Sequence, residues 1–379
     1  MKTITLPAEN GRSFEYSLNT EEPLRVETAR FKSRIAYAAA HVVATDEPEP
    51  AIDLEATLAY RRWLWALGFG VAEAMDTSQR GMGLDWNGAK QLIRASCAEA
   101  RAAGRPIACG ANTDQLRPGS NRLEQVIAAY EEQGAFIEAA GGRIILMASR
   151  ALAGCAQSAD DYLRVYGNLL GQVSEPVILH WLGEAFDPAL AGYWGSSDVS
   201  VSMETCLALI HDYRNKIDGI KISLLDADRE IEMRRRLPQG VRMYTGDDFH
   251  YPELIEGDEG GYSDALLGIF DGIAPAAALA FQKLDENDRA GYRALLAPTL
   301  PLSRHIFQTP TYHYKTGLAF LSYLNGRQRH FSMLGNQQHA RSAAHLAQVF
   351  VLADRARLLR DPDLAAARIL AYLKTAAVC

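Results

Sequence analysis

The chain has 379 residues, of which 48% are hydrophobic and 22% are charged, and its formal net charge at pH 7 is −7. That composition is ordinary for a globular protein with a sizeable core. The sequence has no basic tract, which argues against nucleic-acid binding, and no run of roughly 18 apolar residues, which argues against a membrane span. The five cysteines are an odd number without a Cys-x-x-Cys pair, and the first residues lack a secretory pattern, so we expect no disulfide framework, no thiolate metal site and a cytoplasmic location.

Short apolar runs recur along the chain after an N-terminal extension. Residues 1–33 form this extension, in which Asn10-Gly11 predicts a hairpin-type turn. The runs lack the polar alternation of a half-exposed sheet, so they are typical of strands that are buried on both faces. They lie at residues 34–43, 68–75, 106–110, 143–148, 176–181, 217–223, 241–246 and 263–269.

Amphipathic segments separate the apolar runs. Residues 121–140 place apolar side chains at helical spacing. Residues 159–173 do the same after Ser158, and Asp161 completes a pattern similar to a capping box. Both segments therefore predict helices.

The alternation of strands and helices predicts an α/β fold in which crossover helices join parallel strands. Eight strands are the number that closes a TIM (β/α)8 barrel, and a doubly wound open sheet is the competing fold. We predict the barrel over residues 34–273 and a helical appendage over residues 274–379 that packs on the barrel or at a subunit contact.

The active site of such a barrel lies where the carboxyl ends of the strands meet the loops that follow them. That rule selects polar side chains by position alone, before any motif is considered. They are Glu73, Asp76, Thr77, Ser78, Asn112, Asp114, Ser149, Arg150, His180, Lys221, Asp247, Asp248 and His250.

Lys221 is the most informative of these residues because it lies inside an apolar strand. Burying an ammonium is costly, so we expect desolvation to lower the pKa of Lys221 if its side chain points into the barrel. A neutral lysine attacks carbonyl groups, and the iminium that results accepts electrons from an adjacent bond. The other interpretation is a lysine at the strand end that reaches solvent or pairs with Asp247.

Four short segments stand at or beside the predicted strands: Asp76–Arg80, Pro176–Trp181, Gly219–Lys221 and Gly246–Asp248. In this order they resemble the dihydrodipicolinate synthase and N-acetylneuraminate lyase family of class I aldolases, and the resemblance extends over roughly residues 34–335. It implies a TIM barrel, lyase activity, and a homodimer or homotetramer.

The resemblance also implies roles for individual residues. Lys221 stands at the family's Schiff-base lysine, and Thr77 and Ser78 stand at the paired hydroxyls that hold a keto-acid carboxylate. His180 stands near the family's catalytic tyrosine, and we expect it to move a proton in that place. The further substrate-binding candidates are Asp247, Arg150 and Asn112.

Several positions depart from the family pattern. Ala148-Ser149-Arg150 stands where the family often has Pro-Tyr-Tyr, so its tyrosine relay is either missing or rebuilt. Arg80 replaces a glutamate, and the extra length in residues 184–200 predicts a lid. These departures indicate a divergent branch that acts on something other than the family's usual substrates.

We therefore predict a Schiff-base lyase or aldolase that uses no cofactor and acts on a small keto acid or keto sugar, anionic or polyhydroxylated. One alternative is a divalent-metal-dependent lyase, hydratase or isomerase on the same barrel. Its oxygen and nitrogen ligands would come from Glu73, Asp76, His180, Asp247 and His250. The other alternative is a non-catalytic barrel that binds a small carbonyl compound or acid.

Overall fold

Eight parallel strands close into a barrel in the computed structural model, which describes residues 2–76, 79–117, 119 and 121–376. In chain order the strands are β1 (Thr3–Pro7), β2 (Ser13–Ser17), β3 (Ala36–Ala39), β4 (Gly70–Glu73), β5 (Ile107–Ala111), β6 (Arg143–Leu146), β7 (Val177–Leu182), β8 (Ile217–Ser223), β9 (Arg242–Thr245) and β10 (Asp264–Leu267). The barrel runs in the order β10-β3-β4-β5-β6-β7-β8-β9. Because β10 pairs with β3 as well as with β9, the sheet has no open edge. The predicted TIM barrel is confirmed, and the open sheet is excluded.

The barrel interior is filled by side chains from alternate positions of its strands. Successive residues of a strand point to opposite faces, so one residue known to be inside fixes the inward face of its strand. The buried residues that form this interior cluster are Tyr37, Ala39, Ala72, Met75, Ala108, Ile145, Met147, Ile178, Tyr244 and Leu266.

Helices alternate with strands from β3 to β10, as the sequence predicts, and further helices follow β10. They are α1 (Leu54–Ala66), α2 (Trp86–Ala103), α3 (Leu123–Ala140), α4 (Arg150–Cys155), α5 (Ala159–Gln172), α6 (Val199–Asp212), α7 (Ala227–Arg236), α8 (Tyr251–Glu256), α9 (Phe270–Asp285), α10 (Arg289–Leu296), α11 (Leu300–Ile306), α12 (Tyr314–Leu324), α13 (Ala343–Arg355) and α14 (Pro362–Ala376). No helix among the described residues is both long enough and apolar enough to cross a bilayer.

The chain divides into two compact units. One comprises Arg34–Ala39 and Gly70–Gly268 and holds all the barrel strands with α2 to α8. The other comprises Met1–Ser33, Ala40–Phe69 and Ile269–Cys379, and it holds β1, β2, α1 and α9 to α14. The N-terminal extension and the helical appendage, which the sequence presents as separate regions, thus share a unit with α1.

The predicted N-terminal hairpin is present in the second unit. Strands β1 and β2 pair antiparallel, and Gly11 takes the positive φ of +74° in the turn between them. The hairpin is fastened to α13 because Asp354 accepts hydrogen bonds from the Tyr16 hydroxyl at 2.8 Å and the Asn19 amide at 2.7 Å.

Helix α5 begins where the sequence predicts, but its capping differs from the prediction. Ser158 occupies the N-cap position without a side-chain hydrogen bond to the helix. Asp161 instead accepts from the backbone amide of Gln157 at 2.7 Å, one residue before the expected partner. The predicted apolar face is buried as expected.

Glu230 is a buried carboxyl group whose protonation should affect stability. It lies on α7 with one oxygen accepting from Ser263 Oγ at 2.7 Å and the other, Oε2, without a partner among the described residues. Burial raises the pKa of Glu230 to about 8, and the charge of Asp247 acts in the same direction. The folded protein therefore holds a proton that the unfolded chain releases above its ordinary pKa of 4.5.

Because the folded-state pKa is the higher one, the contribution of Glu230 to the free energy of unfolding should fall as pH rises from 4.5 towards about 8, by on the order of 1 kcal/mol per pH unit. We expect Glu230→Gln to remove this loss and to be more stable than wild type at about pH 8. Urea unfolding across this range measures the effect, with Glu253→Gln, on an exposed residue, as the control. Equal pH slopes in wild type and Glu230→Gln would contradict the assignment.

Candidate active site

Strands β7 and β8 place His180 and Lys221 side by side on the inner face of the barrel. The two residues are register partners, and Lys221 is also the register partner of Tyr244 on β9. Tyr244 and Ile178 both belong to the interior cluster. Since side chains alternate along each strand, His180 and Lys221 point inward as well. They lie towards the carboxyl ends of their strands, at the mouth of the barrel.

The Lys221 side chain passes close to the backbone of Gly246. Lys221 is only 6% exposed. A Cβ atom placed on Gly246 would lie 2.7 Å from Lys221 Cε and 2.3 Å from Ser223 Oγ, closer than carbon and oxygen atoms pack. The glycine that follows β9 therefore makes room for the lysine and the serine together.

His180 is a buried imidazole in which one ring nitrogen has a hydrogen-bond partner. Its Nε2 lies 3.3 Å from Ser223 Oγ, while its Nδ1 has no hydrogen-bond partner in the described part of the chain. Burial, followed by the positive charge of Lys221, lowers the pKa of His180 well below 6.5. The ring is therefore neutral at pH 7, and it holds a lone pair that can accept a proton.

Ser223 completes this group, although it was not among the side chains selected from the sequence. It lies two residues beyond Lys221 on the same strand and so on the same face. Its hydroxyl faces His180 Nε2, and its backbone oxygen accepts from the Gly183 amide at 3.0 Å. The two-residue period of the strand was the signal in the sequence that would have found it.

A tyrosine reaches the end of β6 from the long segment that follows β7. The hydroxyl of Tyr193 accepts from the backbone amide of Ser149 at 3.1 Å and lies 2.9 Å from the Tyr166 hydroxyl. Tyr193 and Trp194 are buried, so residues 184–200 are held by packed aromatic side chains rather than left as an open flap. A tyrosine hydroxyl is thus present near Ser149 although the Pro-Tyr-Tyr pattern is not.

Asn112 and Arg150 line one pocket of about 370 Å³ at the ends of β5 and β6. Arg150 is half exposed and donates from Nε to Asp187 at 2.5 Å. Arg117 and Asn121 line the same pocket, whereas Lys221 and His180 are not among its lining residues. The pocket offers cationic and amide donors, which suit an anionic or polyhydroxylated compound.

Arg80 is part of the protein interior rather than a surface residue. Its guanidinium donates to both carboxylate oxygens of Asp114, at 2.8 and 2.5 Å, and to Gln133 at 2.8 Å. Burial raises the pKa of Asp114, but the hydrogen bond and charge of Arg80 outweigh it, so the net pKa is lowered. The adjacent positions Thr77 and Ser78 lie outside the described residues.

Glu73 faces away from the barrel mouth. Its neighbour Ala72 belongs to the interior cluster, so the Glu73 side chain points outward towards α2. There it accepts from Ser96 Oγ at 2.7 Å. Glu73 is therefore not positioned to face Lys221 across the mouth.

Asp247 is engaged within its own turn. One carboxylate oxygen accepts from the amides of Phe249 and His250, at 2.8 and 3.0 Å, and the other lies 2.9 Å from His250 Nδ1. Within residues 2–76, 79–117, 119 and 121–376, no three His, Cys, Asp or Glu side chains are grouped so that they could hold a metal ion. Asp247 and His250 are thus in contact, but the five residues proposed as a metal set do not form one group.

Comparison with known proteins supports this fold and leaves the chemistry open. The model of a family described as protein of unknown function (DUF993) matches residues 4–378. No curated protein sequence matches the chain. The family match therefore covers nearly the whole chain without supplying an activity.

Solved structures of similar fold carry the name of the family that the sequence resembles. YagE, a prophage protein of the dihydrodipicolinic acid synthase family from E. coli K12 solved in complex with pyruvate, is 17% identical with a TM-score of 0.66, covering 86% of this chain and 99% of its own. Dihydrodipicolinate synthase from Aquifex aeolicus is 13% identical with a TM-score of 0.64, covering 86% and 98%. The Thermotoga maritima enzyme is 12% identical with a TM-score of 0.61, covering 88% and 100%. The predicted fold relationship is confirmed.

Proposed function

The chain belongs to the family described as protein of unknown function (DUF993), and we propose that it is a Schiff-base lyase or aldolase in which Lys221 forms an imine with a keto acid or keto sugar. The observation that carries the proposal is the pairing of Lys221 with His180 on the inward face of adjacent barrel strands. A buried amine beside a neutral imidazole suits carbonyl chemistry through an imine, because the amine can attack the carbonyl and the imidazole can move a proton. The similarity in fold to solved structures of the dihydrodipicolinate synthase family supports the proposal.

The reaction follows from these groups. Lys221 gives up one proton and attacks the substrate carbonyl carbon as the free amine, so that a C–N bond forms. The carbonyl oxygen then leaves as water with one proton from the nitrogen and the one that was released, which gives an iminium that keeps the remaining N–H. The electron pair of an adjacent C–C or C–H bond then moves into the iminium and yields an enamine. His180 accepts or returns the proton in this step, with Ser223 orienting its ring through Nε2.

We further propose that the substrate's polar end is held by Asn112 and Arg150, which share a pocket, and by the hydroxyls of Thr77 and Ser78. Arginine suits a carboxylate or phosphate, and amides and hydroxyls suit either an oxyanion or a sugar hydroxyl. Asp247 is better suited to fixing its own turn, because both of its oxygens have partners there.

Borohydride reduction tests the proposal. The protein is incubated with pyruvate, other 2-oxo acids and keto sugars, reduced with borohydride, and mapped by peptide mass spectrometry. The expected result is a stable adduct on Lys221 with at least one compound. If no adduct forms on Lys221 and EDTA abolishes turnover, the result would support the metal-dependent alternative. If a compound stabilises the protein against heat but is neither trapped nor turned over, the result would support the non-catalytic binding alternative.

A further inference from the structure

A second polar cleft lies within the unit that holds α1 and α9 to α14. Its inner cavity of about 30 Å³ is lined by side chains from α1, α9 and α12. An outer basin of about 370 Å³ shares Arg25, Glu27, Asn325 and Arg360 with that cavity. None of the cleft's lining residues belongs to the candidate active site.

Arg327 places a cation in this cleft without a neutralising partner. Its guanidinium carbon lies 3.5 Å from the centroid of the Trp63 ring, and no described carboxylate forms an ion pair with it. Burial lowers the pKa of Arg327, and Arg360 acts in the same direction, while Tyr60 and the more distant Glu27 oppose the shift. The carboxylate of Glu27 lies instead 3.8 Å from Arg360 and is mostly exposed. A desolvated guanidinium that is stacked but not paired gains from an anion in contact with it.

Two buried hydrogen-bonding atoms line the same inner cavity. Ser322 is 3% exposed, and its Oγ has no hydrogen-bond partner among the described residues. The Nε1 of Trp63 is buried and likewise lacks a partner there. Buried polar groups are almost always satisfied, so two such groups beside an unpaired cation indicate a missing acceptor.

The other acid that lines the inner cavity does not supply that acceptor. Asp271 lines the inner cavity, but its carboxylate lies 3.0 Å from His41 Nδ1 and 3.4 Å from Lys315 Nζ. A water molecule would satisfy the hydroxyl or the indole N–H but would leave the Arg327 charge uncompensated. A bound cation is disfavoured because Arg25, Arg327 and Arg360 face the cleft.

We propose that this cleft binds a small oxyanion, a carboxylate or a phosphate. Arg327 supplies the charge, while Ser322 Oγ and Trp63 Nε1 donate hydrogen bonds to the anion's oxygens. Any organic part of the ligand lies in the outer basin beside Arg25 and Arg360. The site is independent of the imine chemistry, so a Lys221→Met protein should bind the anion as wild type does.

Inorganic phosphate and succinate, titrated separately against chloride at constant ionic strength, test the proposal on the full chain. We expect a saturable rise in the unfolding temperature and a saturable change in tryptophan emission with at least one of them. Phosphate alone would identify a phosphoryl site, succinate alone a carboxylate site, and both a general oxyanion site.

Substitutions in the cleft decide whether the effect belongs to it. Arg327→Gln and Ser322→Ala should each weaken binding at least tenfold, whereas Arg329→Gln, on an exposed residue two positions along, should bind as wild type does. Trp63→Phe retains an aromatic ring and removes only the donor, so its weakened binding by thermal shift would support the geometry if Arg327→Gln does not fold. The same stabilisation in wild type, Ser322→Ala and Trp63→Phe, or no saturable effect of either anion, would overturn the proposal.

Discussion

Replacing Lys221 by methionine is expected to abolish covalent trapping of a carbonyl substrate and to lower kcat/KM by on the order of 10³-fold or more. Methionine keeps most of the length of the side chain beside Gly246 but has no amine, so the C–N bond cannot form. Methionine is also apolar and of similar volume, so we expect the fold to survive. Borohydride trapping, steady-state kinetics and thermal unfolding measure the three effects on one variant.

Two further variants test whether trapping depends on the Lys221 amine itself, rather than on the positive charge at this position or on the presence of a lysine elsewhere. Lys221→Arg keeps a cation at the barrel mouth and should still fail to trap, since a guanidinium remains protonated. Lys216→Met is the matched control, because Lys216 lies just before β8 and donates to the Val173 carbonyl at 2.8 Å. It should trap as wild type does. A persistent adduct in Lys221→Met would place the nucleophile elsewhere.

The strands could be predicted because they depend on local pattern. Apolar runs without alternation mark strands that are buried on both faces, and each of them overlaps a barrel strand. In β8 the polar Lys221 and Ser223 are two residues apart, so whichever face receives one receives the other. The inward direction of His180 follows from the register between β7 and β8.

Glu73 shows that an apolar run does not reveal which of its side chains point into the barrel. In a strand buried on both faces the outer residues contact helices, so an apolar run gives no sign of which alternate set is inside. The four residues of β4 are all buried, and the inward position belongs to Ala72. Glu73 accepts from Ser96 on α2, a contact that depends on how the helix packs rather than on the local sequence.

The positions of Arg80 and of the segment 184–200 likewise depend on contacts with residues that are distant in the sequence. The partner that buries Arg80 is Asp114, which follows the next strand. The segment after β7 brings Tyr193 to the amide of Ser149. Comparison with the family pattern identified both as unusual, but it did not indicate which residues they would contact.

Replacing His180 by glutamine is expected to separate imine formation from proton transfer. Glutamine is polar but does not titrate, so trapping at Lys221 should persist. Exchange of the protons next to the substrate carbonyl with solvent deuterium should slow by about 10²-fold, the usual contribution of a positioned general base. Proton NMR of the 2-oxo acid that traps best measures the exchange. A purely structural role would reduce trapping and exchange together.

The pH dependence provides an independent check on the role of His180. Because burial and Lys221 lower the pKa of His180 well below 6.5, its ring stays neutral from weakly acidic to neutral pH, and its lone pair is lost only when the pH falls through that lowered pKa. The wild-type exchange rate should therefore show no His180-dependent step near pH 6.5. In Ser223→Ala the ring loses its partner at Nε2, so exchange should slow by about tenfold. A step near pH 6.5 that disappears in His180→Gln would show that the imidazole is solvated, and unchanged exchange in His180→Gln would assign the proton to another group.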